Sequence, residues 1–98
     1  MEKPAKEIDG AKVLEWAWSG STPFGTMKYS GGEKDGQLAF EIYGLAICHY
    51  EKTGEMYRFS CDENWETQQD SPCDSIEQAK KDLPEQYKNI PANWIAFE

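Results

Sequence analysis

Apolar and polar residues alternate from Ala11 onward, with Leu14, Trp16 and Trp18 in one phase and Val13, Glu15 and Ala17 in the other. A period of two predicts a half-buried β-strand with two Trp and a Leu on its inner side. Residues 1–10 read as a polar lead-in. Gly20-Ser21-Thr22-Pro23 is a turn signal, after which Phe24 to Ser30 reads as a returning strand. Glu33-Lys34-Asp35-Gly36 is a second polar turn. From Gln37 to Tyr50, Leu38, Phe40 and Ile42 alternate with Ala39, Glu41 and Tyr43, and beyond Gly44 the bulky residues change phase to Leu45 and Ile47. A glycine at a phase change predicts a bulge or a sharp bend there. Glu51-Lys52-Thr53-Gly54 then closes a hairpin onto Met56 to Cys61, the expected centre of an antiparallel sheet.

Beyond Cys61 the alternation stops. Asn64, Thr67, Ser71 and Pro72 oppose a continuous helix, so 62–73 reads as a long loop, with room for a short strand near Trp65. Asp74 or Ser75 can cap a following helix, with Glu77 or Gln78 completing a capping box. Ile76, Ala79 and Leu83 form its narrow apolar stripe, and Pro84 ends or kinks it. The short apolar end Trp94-Ile95-Ala96-Phe97 is expected to be tied against the sheet. The pattern as a whole predicts one α+β domain over 1–98. Its antiparallel sheet has about four to five strands, with one helix near the C-terminus packed on one face.

Composition sharpens this picture. The chain has a formal charge of −8, and residues 1–34 hold five Lys against five acids, so the whole imbalance lies in the later part. Such a balance disfavours nucleic acid and anionic membrane as direct ligands and favours a basic protein. No apolar run reaches a membrane span, and the first ten residues lack the apolar core of a secretory signal. An odd set of cysteines, Cys48, Cys61 and Cys73, suits reduced thiols and a cytoplasmic location, although a bridge between Cys48 and Cys61 stays open.

Catalytic and metal motifs are scarce. Cys48-His49 is the one adjacent nucleophile and base, but strand neighbours point to opposite faces. Cys48, His49, Cys61 and Cys73 could in number fill a zinc site, yet they lack any Cys-x-x-Cys pairing. Nothing matches a phosphate loop or the alternating acids and glycine of a calcium loop. The expectation is therefore no enzyme, no metal and no cofactor.

What remains is the run from Phe59 to Ala79, with six carboxylates (Asp62, Glu63, Glu66, Asp70, Asp74 and Glu77), Trp65, and no Lys or Arg. These seven residues are the candidate partner-binding surface. Trp65 admits two readings, an anchor for a partner or a plug holding the loop on the domain. In size, acidity and layout, with the acidic stretch Cys61 to Cys73, the strand-rich first half and the helix Ser75-Ile-Glu-Gln-Ala-Lys-Lys, the chain resembles the small bacterial immunity proteins of polymorphic and contact-dependent toxin systems. That resemblance implies a cytoplasmic inhibitor that covers a toxin's active site or another essential surface. The acidic run itself points to a nuclease, whose cleft must present Lys and Arg to phosphates. It carries over no individual site residues. A nucleic-acid mimic acting on a host or phage enzyme and a structural assembly subunit are the alternatives. A monomer is favoured.

Overall fold

The computed structural model describes residues 2–28, 31–34 and 36–98. It is an α+β fold dominated by an antiparallel sheet, with a single short helix. Strands β1 (Glu7–Ile8), β2 (Ala11–Trp18), β5 (Gly44–His49), β6 (Met56–Cys61) and β7 (Thr67–Cys73) lie in that spatial order. The short β8 (Ile95–Ala96) also pairs with β2, which makes the sheet six-stranded. Strands β3 (Gly25–Lys28) and β4 (Leu38–Ile42) pair with each other in a separate ribbon. The expected returning strand is thus β3, whose predicted ends Tyr29 and Ser30, like Asp35 of the second turn, lie outside the described residues.

The lead-in is partly structured. Asp9 and Gly10 both adopt positive φ, 49° and 82°, as a two-residue hairpin turn requires. They fold Ile8 onto Ala11 and make β1. In β2 the pairing register shifts between Val13 and Glu15, so Leu14 is bulged. The bulge brings Val13 onto the face of Trp16 and Trp18 and leaves Leu14 half exposed, which corrects the simple alternation. The bulged carbonyl is not wasted, since Phe97 N–H donates to it at 2.9 Å and ties down the C-terminal segment.

The bend expected near Gly44 falls at Tyr43, where the chain leaves the ribbon and joins the sheet. Beyond it, alternate residues of β5 fill two cores. Ala46 and Cys48 face Val13, Trp16, Phe59, Cys61 and Trp65 on one side. Leu45 on the other side joins Ala17, Phe24, Ile42, Leu83 and Tyr87. This two-sided burial explains why β5 reads as a near-continuous apolar run.

The second core is roofed by α1 (Ile76–Lys81) and a 3-10 turn, Glu85–Tyr87. Ser75 caps α1, its Oγ accepting from Gln78 N–H at 3.0 Å, while the Gln78 side chain accepts from Asp74 N–H. The helix is six residues long and stops at Asp82, ahead of Pro84. Lys80 pins it to β2 through Glu15 at 2.6 Å.

Candidate functional site

The expected long loop 62–73 is instead a tight turn followed by the seven-residue edge strand β7. The turn is built on Asp62. Its Oδ1 accepts from Asn64 N–H at 2.8 Å and Glu66 N–H at 3.0 Å, and its Oδ2 accepts from Gln68 Nε2 at 3.1 Å. Satisfied by these donors, Asp62 organises the turn. Pro72 does not prevent the strand, because an edge has one side on which no N–H is needed.

Trp65 sits in this turn at φ 61°, a left-handed conformation that costs a bulky residue about 1–2 kcal/mol. Burying an indole removes roughly 150–250 Å² from water, worth about 4–6 kcal/mol at 25 cal/mol per Å². Burial wins. The ring lies edge-on to Trp16 (centroids 6.4 Å) and tilted on Trp18 (5.6 Å), and its Nε1 donates to the Glu2 carbonyl at 3.1 Å. Only 8% of Trp65 is exposed, so of its two readings the plug describes it. Gly44 lies directly beneath; a Cβ there would fall 2.6 Å from Trp65 Cζ3.

The other candidates are open to solvent. Glu63 and Glu66 flank the turn, Asp70 projects from β7, Asp74 follows it and Glu77 lies in the first turn of α1. At about 3.4 Å per residue, Glu66 and Asp74 stand roughly 27 Å apart, so the acids form a line along the sheet border. Among the described residues the ion pairs are Lys80–Glu15 and Lys88–Glu85, and neither uses a carboxylate of this set. The field of these groups reaches nearby phenols. Tyr43 is held above the usual phenol range first by partial burial and then by Glu41 and Glu63. Tyr57 is raised first by its hydrogen bond to Glu55, and Asp70 adds to the effect.

A hollow of about 470 Å³ opens beside Trp65 where the N-terminal segment meets the turn. Glu7, Asp9 and Glu66 wall it together with Ala5, Asn64 and Thr67, and no Lys or Arg lines it. Glu7 and Asp9 were missed by sequence reasoning because they lie more than fifty positions from Glu66. The Asp9-Gly10 hairpin signal could have found them. A second hollow of about 430 Å³, lined by Glu7, Lys12, His49, Glu51 and Lys52 among others, is of mixed charge.

The cysteines do not converge. Cys48 opposes Tyr57 and Cys61 opposes Gly44, so the two residues sit four steps apart on neighbouring strands, about 13 Å along the backbone, and no bridge joins them. All three cysteines are free. Burial pushes Cys48 and Cys61 up to about 12, which keeps both protonated at neutral pH. His49 lies on the opposite face from Cys48 and cannot activate it. A water-soluble alkylating reagent is expected to modify Cys73 in the native protein and the other two only after unfolding. Mass spectrometry of the labelled chain checks this, and equally fast modification at all three sites would contradict it.

Compared with known proteins, the chain matches no family model, no curated protein and no solved structure. Fold and site define only a class, a small acidic α+β domain with carboxylates along one sheet border. Among the described residues no helix is long and apolar enough to cross a membrane.

Proposed function

We propose that this protein is a stoichiometric, non-catalytic inhibitor of a basic protein, an immunity protein or antitoxin that meets a cationic toxin in the cytoplasm through its acidic border. The observation that carries this reading is the exposed set Glu63, Glu66, Asp70, Asp74 and Glu77. None of them is ion-paired among the described residues, and the set adjoins a hollow walled by Glu7, Asp9 and Glu66. A nuclease toxin suits this surface because its cleft must present Lys and Arg to phosphates. Long-range attraction speeds capture, and contacts formed afterwards set the lifetime of the complex.

The strand geometry favours general steering over nucleic-acid mimicry. Glu66 and Asp74, which flank β7, each stand about 13 Å along the strand direction from Asp70. A DNA duplex carries one phosphate charge per about 1.7 Å of its axis with both strands counted, a far denser array.

Joint substitution of Glu63, Glu66 and Asp70 by Lys is the direct test. Asp62 is left in place because it holds the turn. Association with the toxin co-purified from the native host is expected to slow at least about tenfold at low salt and to lose most of its salt dependence. An unchanged rate in a variant with native circular dichroism rules out steering.

Leu38 and Phe40, 57% and 41% exposed on the ribbon, are the observation behind a second reading as an assembly subunit. Light scattering separates the two, since a clean monomer leaves those residues no self-partner.

A further inference from the structure

Arg58 is the chain's one arginine, and it lies in the middle of β6 facing the layer formed by α1 and the 3-10 turn. It is 5% exposed. Eighteen acidic side chains are available in the sequence, yet Arg58 takes part in neither ion pair of the described residues. Its Nε is shut off from solvent without a hydrogen-bond partner, whereas the terminal nitrogens retain a narrow opening. Ser60, two residues on and so on the same face, is 1% exposed, and its Oγ also lacks a partner. Ser71 stands directly opposite Arg58 on β7.

A guanidinium withdrawn from water is ordinarily compensated by a fixed anion. The groups around this one do not supply it. The Tyr87 hydroxyl already donates to Gln69 Oε1 at 2.6 Å, and burial raises the Cys73 thiol above its ordinary range. Asp82, the C-cap of α1, contributes some opposing charge but is exposed and forms no ion pair with Arg58. Burial accordingly lowers the Arg58 pKa, with Tyr87, Cys73 and Asp82 acting the other way. Two buried polar groups on one face, neither with a hydrogen-bond partner, leave donors free for an acceptor-rich guest entering past the half-exposed Ser71 and Cys73. The guanidinium's planar fork matches an oxyanion better than a spherical halide.

From this we infer that Arg58 and Ser60 form a binding site for a small oxyanion, a phosphate or a carboxylate, between β6 and its helical cover. The site is separate from the acidic border and does not depend on the function proposed above.

The test is thermal unfolding of the full chain at constant ionic strength, with inorganic phosphate or acetate exchanged for chloride. Phosphate or acetate at several times its dissociation constant is expected to raise Tm by about 4 °C or more in a domain of this size. The rise should vanish in Arg58→Met and shrink in Arg58→Lys, which keeps the charge without the fork. A wild-type Tm that follows neither oxyanion more than chloride overturns the site, as does a rise that persists in Arg58→Met. Should the Met variant fail to fold, the Arg58 Nε–H resonance of the wild type provides the second reading. A saturable shift with either oxyanion supports the site; its absence with both overturns it.

Discussion

Trp65→Ala is expected to lower the unfolding free energy by about 3–5 kcal/mol, the usual range for emptying a buried aromatic site. The indole bridges Trp16, Trp18 and the bare backbone of Gly44, and it holds the N-terminal segment through Glu2. Alanine would keep the left-handed backbone of residue 65 while losing the burial that stabilises it. With a domain's total stability of about 5–15 kcal/mol, the variant should stand at the edge of unfolding at 37 °C. Urea denaturation measures the loss directly. A change below about 1 kcal/mol would mean that the ring is not the plug described here. The same variant should also open the acidic hollow, because Trp65 forms part of its wall.

Gly25→Ala is the second large effect, and it arises from backbone rather than from side-chain packing. A Cβ at Gly25 would lie 1.5 Å from the Gln86 carbonyl oxygen and 2.6 Å from its carbon. No rotamer change relieves contact with a main-chain atom, so the 3-10 turn must retreat from β3. That retreat unseats Tyr87, the largest fully buried side chain among the described residues, and its hydroxyl bond to Gln69. A loss of about 3 kcal/mol or more is expected, at the upper end of overpacking effects. A variant that melts with the wild type would show that the turn accommodates the methyl group freely.

Both effects trace to contacts between elements, which local patterns in a sequence do not encode. The hairpin of β5 and β6 was legible because Leu45, Ile47, Tyr57 and Phe59 alternate around a polar turn containing Gly54. The helix start was legible because Ser75 and Gln78 have the spacing a cap demands. The Leu14 bulge was not, since Val13 and Leu14 are both apolar and either phase satisfies the pattern. Strand β7 is not legible in its residues, because Thr67-Gln-Gln-Asp-Ser-Pro-Cys has few that favour strands and predicts a loop with at most a short strand near Trp65. Its structure comes from pairing with β6, a tertiary effect that propensity does not contain.

The candidate site divides in the same way. The charge of 59–79 and the absence of cations there are visible in composition. That Asp62 is occupied by its own turn, and that Glu7 and Asp9 face Glu66, depends on how distant segments meet. The isolation of Arg58 is likewise invisible in a chain with so many acids.

Pro72 has one more consequence. A strand bordering a sheet would ordinarily offer its amide groups to any neighbouring copy, and proteins this rich in strands risk stacking into fibrils through such borders. Here the border lacks one donor at Pro72 and carries the charge of Asp70 two positions away. The missing donor and the repelling charge together disfavour strand-to-strand joining of neighbouring copies along this border.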